Sequence, residues 1–194
     1  MKTKDFYIFR HGQSTYNLQG RTQGRSNDSV LTELGKIQAK DVGKRLKNKG
    51  IEVIACSPLQ RARQTAHYVN ECLGVAVEID ERFNEIDVGQ AEGMYRDDIA
   101  IKFPEVFAKW CSGDEKYKDV CYPGGESREH AKLRIFEGLE YWASKKYNVV
   151  AISAHGIMLS QIMSALGKNM RDIPNGTILH IRKENDKWKI IELL

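Results

Sequence analysis

Three short apolar runs that each stop at a polar, ligand-ready loop constrain this chain more than any other feature. Asp5-Phe6-Tyr7-Ile8-Phe9-Arg10 leads into His11-Gly12. Val53-Ile54-Ala55-Cys56 leads into Ser57, with Arg61 close behind. Asn148-Val149-Val150-Ala151-Ile152-Ser153 leads into Ala154-His155-Gly156. Runs this short and this rich in β-branched and aromatic residues predict buried strands.

Helix signals fill the intervals. Thr32 can cap a helix with apolar spacing at Leu34, Ile37, Ala39, Val42 and Leu46, ending near Gly50. Ser57-Pro58 reads as N-cap and first position of a second helix, running to Leu73 with Gly74 as its stop. A strand over 75–79 follows, then a loop over 80–93. The 96–110 stretch predicts two short helices broken before Pro104. Pro123-Gly124-Gly125 is a turn, and 127–147 predicts a long helix with Leu133, Phe136, Leu139 and Ala143 on its apolar side. A further helix spans about 157–166, and 177–182 and 188–194 predict a hairpin around Asn185-Asp186. The stretch from Gly12 to Ser29 reads as loop.

Alternation of strands and helices predicts an α/β fold with a largely parallel central sheet. The chain of 194 residues has no internal repeat, low-complexity tract or linker, so a single domain over 1–194 is expected. Ligands of such sheets bind beyond the carboxyl ends of the strands. The three polar loops are therefore expected to share one crevice.

The balance of the chain narrows its partners. Its net charge of +4 is spread among alternating acidic and basic residues, which does not make a nucleic-acid face. No apolar run approaches the roughly 18 residues of a membrane span, and the N-terminal apolar run is too short for a signal peptide. Cys56, Cys72, Cys111 and Cys121 form no C-x-x-C pair and are expected to be free thiols in a cytoplasmic protein. Short-spaced metal ligands are lacking, so no metal and no cofactor is expected. Walker-type loops, dinucleotide-binding glycine loops and nucleophile elbows are lacking too. His67, His130 and His180 read as structural or exposed, and Trp110, Trp142 and Trp188 as core.

The residues that remain suit phosphate chemistry. A histidine is a good nucleophile when one ring nitrogen is neutral and the other is held. His11 stands where a strand meets a loop, and Gly12 lets the chain approach a ligand closely. Arg10 and Arg61 carry planar forks that match phosphate oxygens. His155 could donate to the same anion, and the first turn of the helix that follows would add backbone N–H groups. A carboxylic acid is needed to protonate a leaving alcohol. Glu85 is the candidate, with Glu81 and Asp87 in the same loop as alternatives.

Arg10-His11-Gly12-Gln13-Ser14 with Asn17, Leu31-Thr32-Glu33-Leu34-Gly35, and the 57–66 block Ser57-Pro58-Leu59-Gln60-Arg61-Ala62-Arg63-Gln64-Thr65-Ala66 occur in that order. Glu85 through Glu92-Gly93, Gly124-Gly125-Glu126-Ser127 and Ala154-His155-Gly156 follow. The series resembles the histidine phosphatase superfamily, the phosphoglycerate-mutase-like proteins. The resemblance implies a three-layer α/β/α sandwich and metal-independent transfer of a phosphoryl group through a phosphohistidine on His11. It implies that Arg10, Arg61 and His155 form the phosphate pocket and Glu85 donates the proton. Asn17, Gln23, Gly24 and Gly156 would contact substrate. Arg63 is expected to point elsewhere.

The glycolytic mutases of that superfamily carry an adjacent Arg-Arg pair and a Tyr shortly after the acid glutamate. This chain has no consecutive Arg-Arg, and Val88 stands three residues after Glu85. It therefore resembles the short bacterial phosphatases more, although Arg96 and Lys102 could partly replace the pair. The expected activity is hydrolysis of small phosphorylated metabolites. Mutase-type phosphoryl transfer and a non-catalytic phosphate-binding scaffold are the alternatives. Specificity is expected from the variable segment over 94–122 and from the loop around Gln23 and Arg25. The expected partner is a small-molecule phosphate ester, and a homodimer is compatible with the sequence.

Overall fold

The computed structural model describes residues 3–194. Six strands form one sheet in the order β3-β2-β4-β1-β5-β6. They are β1 (Thr3–Arg10), β2 (Val53–Cys56), β3 (Ala76–Ile79), β4 (Val149–Ala154), β5 (Ile178–Glu184) and β6 (Lys187–Leu193). The β3-β2-β4-β1 part is parallel, and β5 and β6 join antiparallel at the β1 edge. All four residues of β2 and five of the six in β4 are buried. That is the pattern of strands covered on both faces. Asn185 and Asp186, with φ of 48° and 63°, make the hairpin turn expected there.

Alternate side chains of the same strands feed two cores. Phe6, Ile8, Val53, Ala55, Val150 and Ile152 face one side. Tyr7, Phe9, Ile54, Cys56 and Ala151 face the other. Helices α2 (Glu33–Leu46) and α3 (Gln60–Leu73) cover the second face through Val42, Leu46, Ala62, Ala66 and Val69. Helices α6 (Arg128–Ser144) and α7 (Gly156–Ala165) cover the first through Ala131, Ile135, Leu139, Trp142, Met158, Leu159 and Ile162. The result is the expected α/β/α sandwich. Two further helices, α4 (Arg96–Lys102) and α5 (Pro104–Ser112), lie in the variable segment and meet at Pro104 as expected. Among the described residues, no helix is long and apolar enough to cross a membrane.

Several local expectations are corrected. The stretch from Gly12 to Ser29 holds a short helix, α1 (Thr15–Gln19), begun by a capping box between Ser14 and Asn17. In α2 the buried stripe is Gly35, Ala39, Val42, Gly43 and Leu46, while Leu34 and Ile37 are exposed. The reason is a close approach of backbones. A Cβ on Gly35 would lie 2.1 Å from the Gln13 carbonyl oxygen, and one on Gly12 2.2 Å from the Gly35 oxygen. Two glycines thus set which face of α2 meets the site. In α6, Leu133 is exposed, and Ala131, Ile135, Gly138, Leu139 and Trp142 are buried instead. Gly138 packs against the Phe83 ring, and the Trp142 indole N–H donates to Asp80 at 2.8 Å. Finally, α3 is capped by Leu59 rather than Ser57. The Ser57 hydroxyl is engaged elsewhere, in the site described next.

Candidate active site

Strand register brings the three polar loops together. Arg10 pairs with Ala154, and Cys56 with Ser153. One residue further, the His11 N–H donates to the Ala154 carbonyl at 3.0 Å and the Ser57 N–H to the Ser153 carbonyl at 3.1 Å. The rings of His11 and His155 consequently sit 5.4 Å apart, centroid to centroid. A cavity of about 440 Å³ opens over these strand ends. Arg10, His11, Asn17, Gln23, Gly24, Arg61, Glu85 and Gly156 all line it.

The protonation of His11 follows from its two neighbours. Its Nδ1 is 2.8 Å from the Gly12 carbonyl oxygen, which can only accept, so Nδ1 carries the hydrogen. Its Nε2 is 3.3 Å from Nε of Arg61, which can only donate, so Nε2 presents a lone pair. The ring is neutral with its nucleophilic nitrogen beside a guanidinium. Burial, then the charges of Arg61 and Arg10, hold the imidazole well below its ordinary pKa, against the Gly12 hydrogen bond.

Arg61 is 1% exposed and is fixed by the carbonyls of Gly24 at 2.7 Å and Ser26 at 2.9 Å. Burial pulls its pKa down to about 10, which leaves it charged near neutral pH. Gly24 adopts a φ of 51°, and a Cβ there would lie 2.4 Å from Glu92 Oε1. It shapes the mouth and holds Arg61. Arg10 donates to the Ile173 carbonyl, and its Nε has no partner among the described residues. Its side chain lies across Gly156, where a Cβ would come within 3.1 Å of Nε.

Glu85 is buried with three backbone N–H groups around it. Oε1 accepts from Ile86 at 3.0 Å and Met158 at 3.1 Å, and Oε2 from Ile157 at 3.0 Å. Burial pushes the carboxyl above its ordinary pKa, while those N–H groups and the two arginines pull the other way. Glu81 is exposed, and Asp87 accepts from the Gly89 N–H instead. Of the three candidate acids, Glu85 alone lines the cavity.

Three expectations change here. The N–H groups of the first turn of α7 were expected to face an anion, but Ile157 and Met158 spend theirs on Glu85. His155 is wholly buried behind His11 and does not line the cavity. Its Nε2 is 2.7 Å from the Ser57 hydroxyl, and its Nδ1 has no partner among the described residues. Arg25 does not line the cavity either. It donates to Glu126 at 3.1 Å and bonds the Glu85 carbonyl, and Arg134 grips Glu126 at 2.7 and 2.9 Å. The Gly124–Ser127 block therefore buttresses the Glu85 loop.

Asn17 accepts through Oδ1 from the Ser14 N–H and from Asn175 Nδ2, which leaves its amide NH₂ for the cavity. Gln23 accepts from the Ser14 hydroxyl at 2.8 Å and offers its amide likewise. Arg63 points away, as expected, into a separate cavity with Cys56 and His67. Burial pushes the Cys56 thiol up to about 12 there, so it is inert. No group of three or more His, Cys, Asp or Glu among the described residues is placed to hold a metal ion.

A family model described as the histidine phosphatase superfamily, branch 1, matches residues 6–193. The chain belongs to this superfamily. A Hydrogenobacter thermophilus protein provisionally named phosphoserine phosphatase 2 is 34% identical over 98% of this chain and 95% of its own length. An Erwinia tasmaniensis protein provisionally named phosphoglycerate mutase GpmB is 32% identical over 82% of this chain and 73% of its own. Among solved structures, the mycobacterial glucosyl-3-phosphoglycerate phosphatase in complex with VO3 superposes with a TM-score of 0.84. It is 26% identical and covers 97% of each chain.

Within this member of the superfamily, some supporting residues gave no usable sequence signal. Asn175 donates through Nδ2 to the His11 carbonyl at 2.9 Å and to Asn17 Oδ1 at 3.2 Å. In Ile173-Pro174-Asn175-Gly176 it reads only as a turn residue. Thr65 accepts from the Gly12 N–H at 3.1 Å and donates to the Arg61 carbonyl at 2.7 Å, joining two site residues from one turn inside α3. Arg21 and Arg171 also line the cavity, from loops whose path the sequence does not reveal. Of the two cations offered for the missing Arg-Arg pair, Arg96 lines a neighbouring cavity and Lys102 is exposed.

Proposed function

We propose that this chain is a phosphomonoesterase that hydrolyses small phosphorylated metabolites through a phosphohistidine on His11. The observation that carries the reading is the pair of bonds on that ring. A carbonyl on Nδ1 and a guanidinium on Nε2 together require a neutral histidine with its lone pair at the cavity.

In this reading the phosphate dianion sits among Arg10, Arg61 and the amides of Asn17 and Gln23. Nε2 attacks phosphorus, and the bond to the ester oxygen breaks. Glu85 passes a proton from Oε2, which has one N–H partner, to the departing alkoxide. The dianion supplies the condition for this, since it disfavours ionisation of the buried carboxyl further. Water then attacks phosphorus, Glu85 takes its proton, and the P–N bond breaks to return neutral His11. Charge neutralisation comes from the two guanidinium groups, in keeping with a reaction that needs positioning and electrostatics above all. His155 acts from behind, fixing Ser57 and the end of β4.

Water is taken as the acceptor because the chain lacks the adjacent Arg-Arg pair that the glycolytic mutases of the superfamily carry. Residues 1–194 act as one domain in this reading, with 94–122 covering the cavity, and the free cysteines suit a reducing cytoplasm. Assay of 3-phosphoglycerate with and without a bisphosphate primer tests the reading. Release of free phosphate independent of primer supports it. Primer-dependent movement of phosphate to a second hydroxyl would establish a mutase, and no turnover across a broad ester panel would indicate a scaffold.

A further inference from the structure

A second cavity of about 480 Å³ adjoins the first. The two share Ile157, Arg171 and Asp172 as lining, so the second lies directly beside the cavity that His11 lines. Three arginines from separate parts of the chain border the outer chamber: Arg96 at the start of α4, Arg128 at the start of α6, and Arg171 in the loop before β5.

None of the three has a carboxylate within ion-pair distance among the described residues. Arg171 donates to the carbonyls of Cys111 and Ser112, at the end of α5. Arg128 donates to the Asp114 carbonyl at 3.2 Å, and its Nε is buried without a partner. Its guanidinium lies 5.9 Å from the Trp110 ring centroid. Arg96 makes one weak contact, 3.4 Å to Cys111 Sγ, and lies over Phe107. Burial, and then the charge of Arg171, depress the Arg128 pKa against the pull of Glu115 and Asp114. Asp172 also lines the chamber, so three arginines face one carboxylate there. Like charges that converge on a cavity are costly unless an anion meets them there. Ser160 and Gln161 of α7 add a hydroxyl and an amide to the lining of the outer chamber.

We propose that the substrate carries a second oxyanion, a carboxylate or another phosphate, and that Arg96, Arg128 and Arg171 receive it while His11 attacks the ester phosphate. Planar guanidinium forks match both oxyanions. The substrate class is then a small phosphomonoester with an anionic far end. The proposal rests on the phosphatase reading.

Matched substrates test it. Phosphoserine against phosphoethanolamine isolates the carboxylate, and a sugar bisphosphate against its monophosphate isolates the second phosphate. The wild-type protein should show kcat/KM at least about tenfold higher for the oxyanion-bearing member of one pair, the worth of a charged hydrogen bond. Which pair responds identifies the oxyanion. In Arg128→Met, and independently in Arg96→Met from a different helix, that ratio should collapse toward unity through KM. Arg128→Lys should restore only part of it, because the charge returns without the fork. Equal kcat/KM within both pairs in the wild type, or an unchanged ratio in both methionine variants, overturns the proposal and leaves the phosphatase reading standing. If no ester is hydrolysed, with or without a far anion, the phosphatase reading fails and this proposal falls with it.

Discussion

Nε of Arg61 donates to Nε2 of His11 at 3.3 Å, so one guanidinium both covers the proposed nucleophilic nitrogen and disfavours its protonation. The same guanidinium is held by Gly24 and Ser26, and its backbone carbonyl is held by Thr65. In the proposed reaction, phosphate meets two groups that are already in place. Such preorganisation is the main source of electrostatic catalysis.

Arg61→Met should lower kcat/KM about 10²–10³-fold, the usual cost of losing one preorganised donor. It should also move the acidic limb of the pH profile. Wild-type His11, depressed by burial and by two arginines, stays neutral and reactive below pH 6.5, the ordinary histidine value. Without Arg61 the imidazole protonates at higher pH, so the limb moves up. An unmoved limb would break the link between the two residues.

Glu85→Gln should lower kcat about 10²–10⁴-fold for esters of alkyl alcohols, which need a proton, and much less for p-nitrophenyl phosphate. The basic limb should disappear with it. With Glu85 as the proposed proton donor, activity is lost as it ionises, and its raised pKa places that loss above the ordinary carboxylate range. The variant should also be less stable by about 1–3 kcal/mol if its amide turns an NH₂ toward the N–H groups of Ile157 and Met158. Leaving-group dependence measured by steady-state kinetics separates the two effects.

Gly12→Ala should destabilise the fold by at least about 1–3 kcal/mol, as overpacking does. The added Cβ would meet the Gly35 carbonyl oxygen at 2.2 Å, and backbone cannot rotate away as a side chain could. Denaturant unfolding of the pure variant reads this directly. Gly156→Ala should fold nearly normally and lose activity instead, because its Cβ meets the Arg10 side chain at 3.1 Å.

Acid should destabilise the wild type through its histidines. His11 and His155 both have folded pKa values well below 6.5. Their contribution to stability is therefore fully present above pH 6.5 and is lost as pH falls toward the folded values. His155→Gln should unfold with a shallower pH dependence below 6.5 than the wild type. Equal slopes in urea titrations would show that His155 titrates normally.

Much of this was legible from residues alone. The alternation of runs such as Phe6–Phe9 and Val149–Ser153 with helix signals carried the sheet, because burial of both strand faces leaves no other pattern. His11 at a strand end, Arg61 in the first turn of α3 and Glu85 in the 80–93 loop were legible as candidates because their residue types suit one chemistry and their order matches one family. The helix faces were not. Leu34, Ile37 and Leu133 have the right period, but close contacts at Gly35 and Gly138 decide the rotation of their helices. Ser57 suited an N-cap locally, and only the register of β2 with β4 reveals that His155 takes its hydroxyl. Asn175 reaches His11 across 164 positions of chain, a contact that no local pattern encodes.

The central claim is a phosphoryl group on Nε2 of His11, and trapping it is the most direct test. The enzyme should be mixed rapidly with a radiolabelled phosphate ester and quenched in alkaline denaturant. The account predicts label on the peptide that contains His11, stable in base, released by acid, and lacking in His11→Ala. Full wild-type turnover by His11→Ala, or label on another residue, would contradict it.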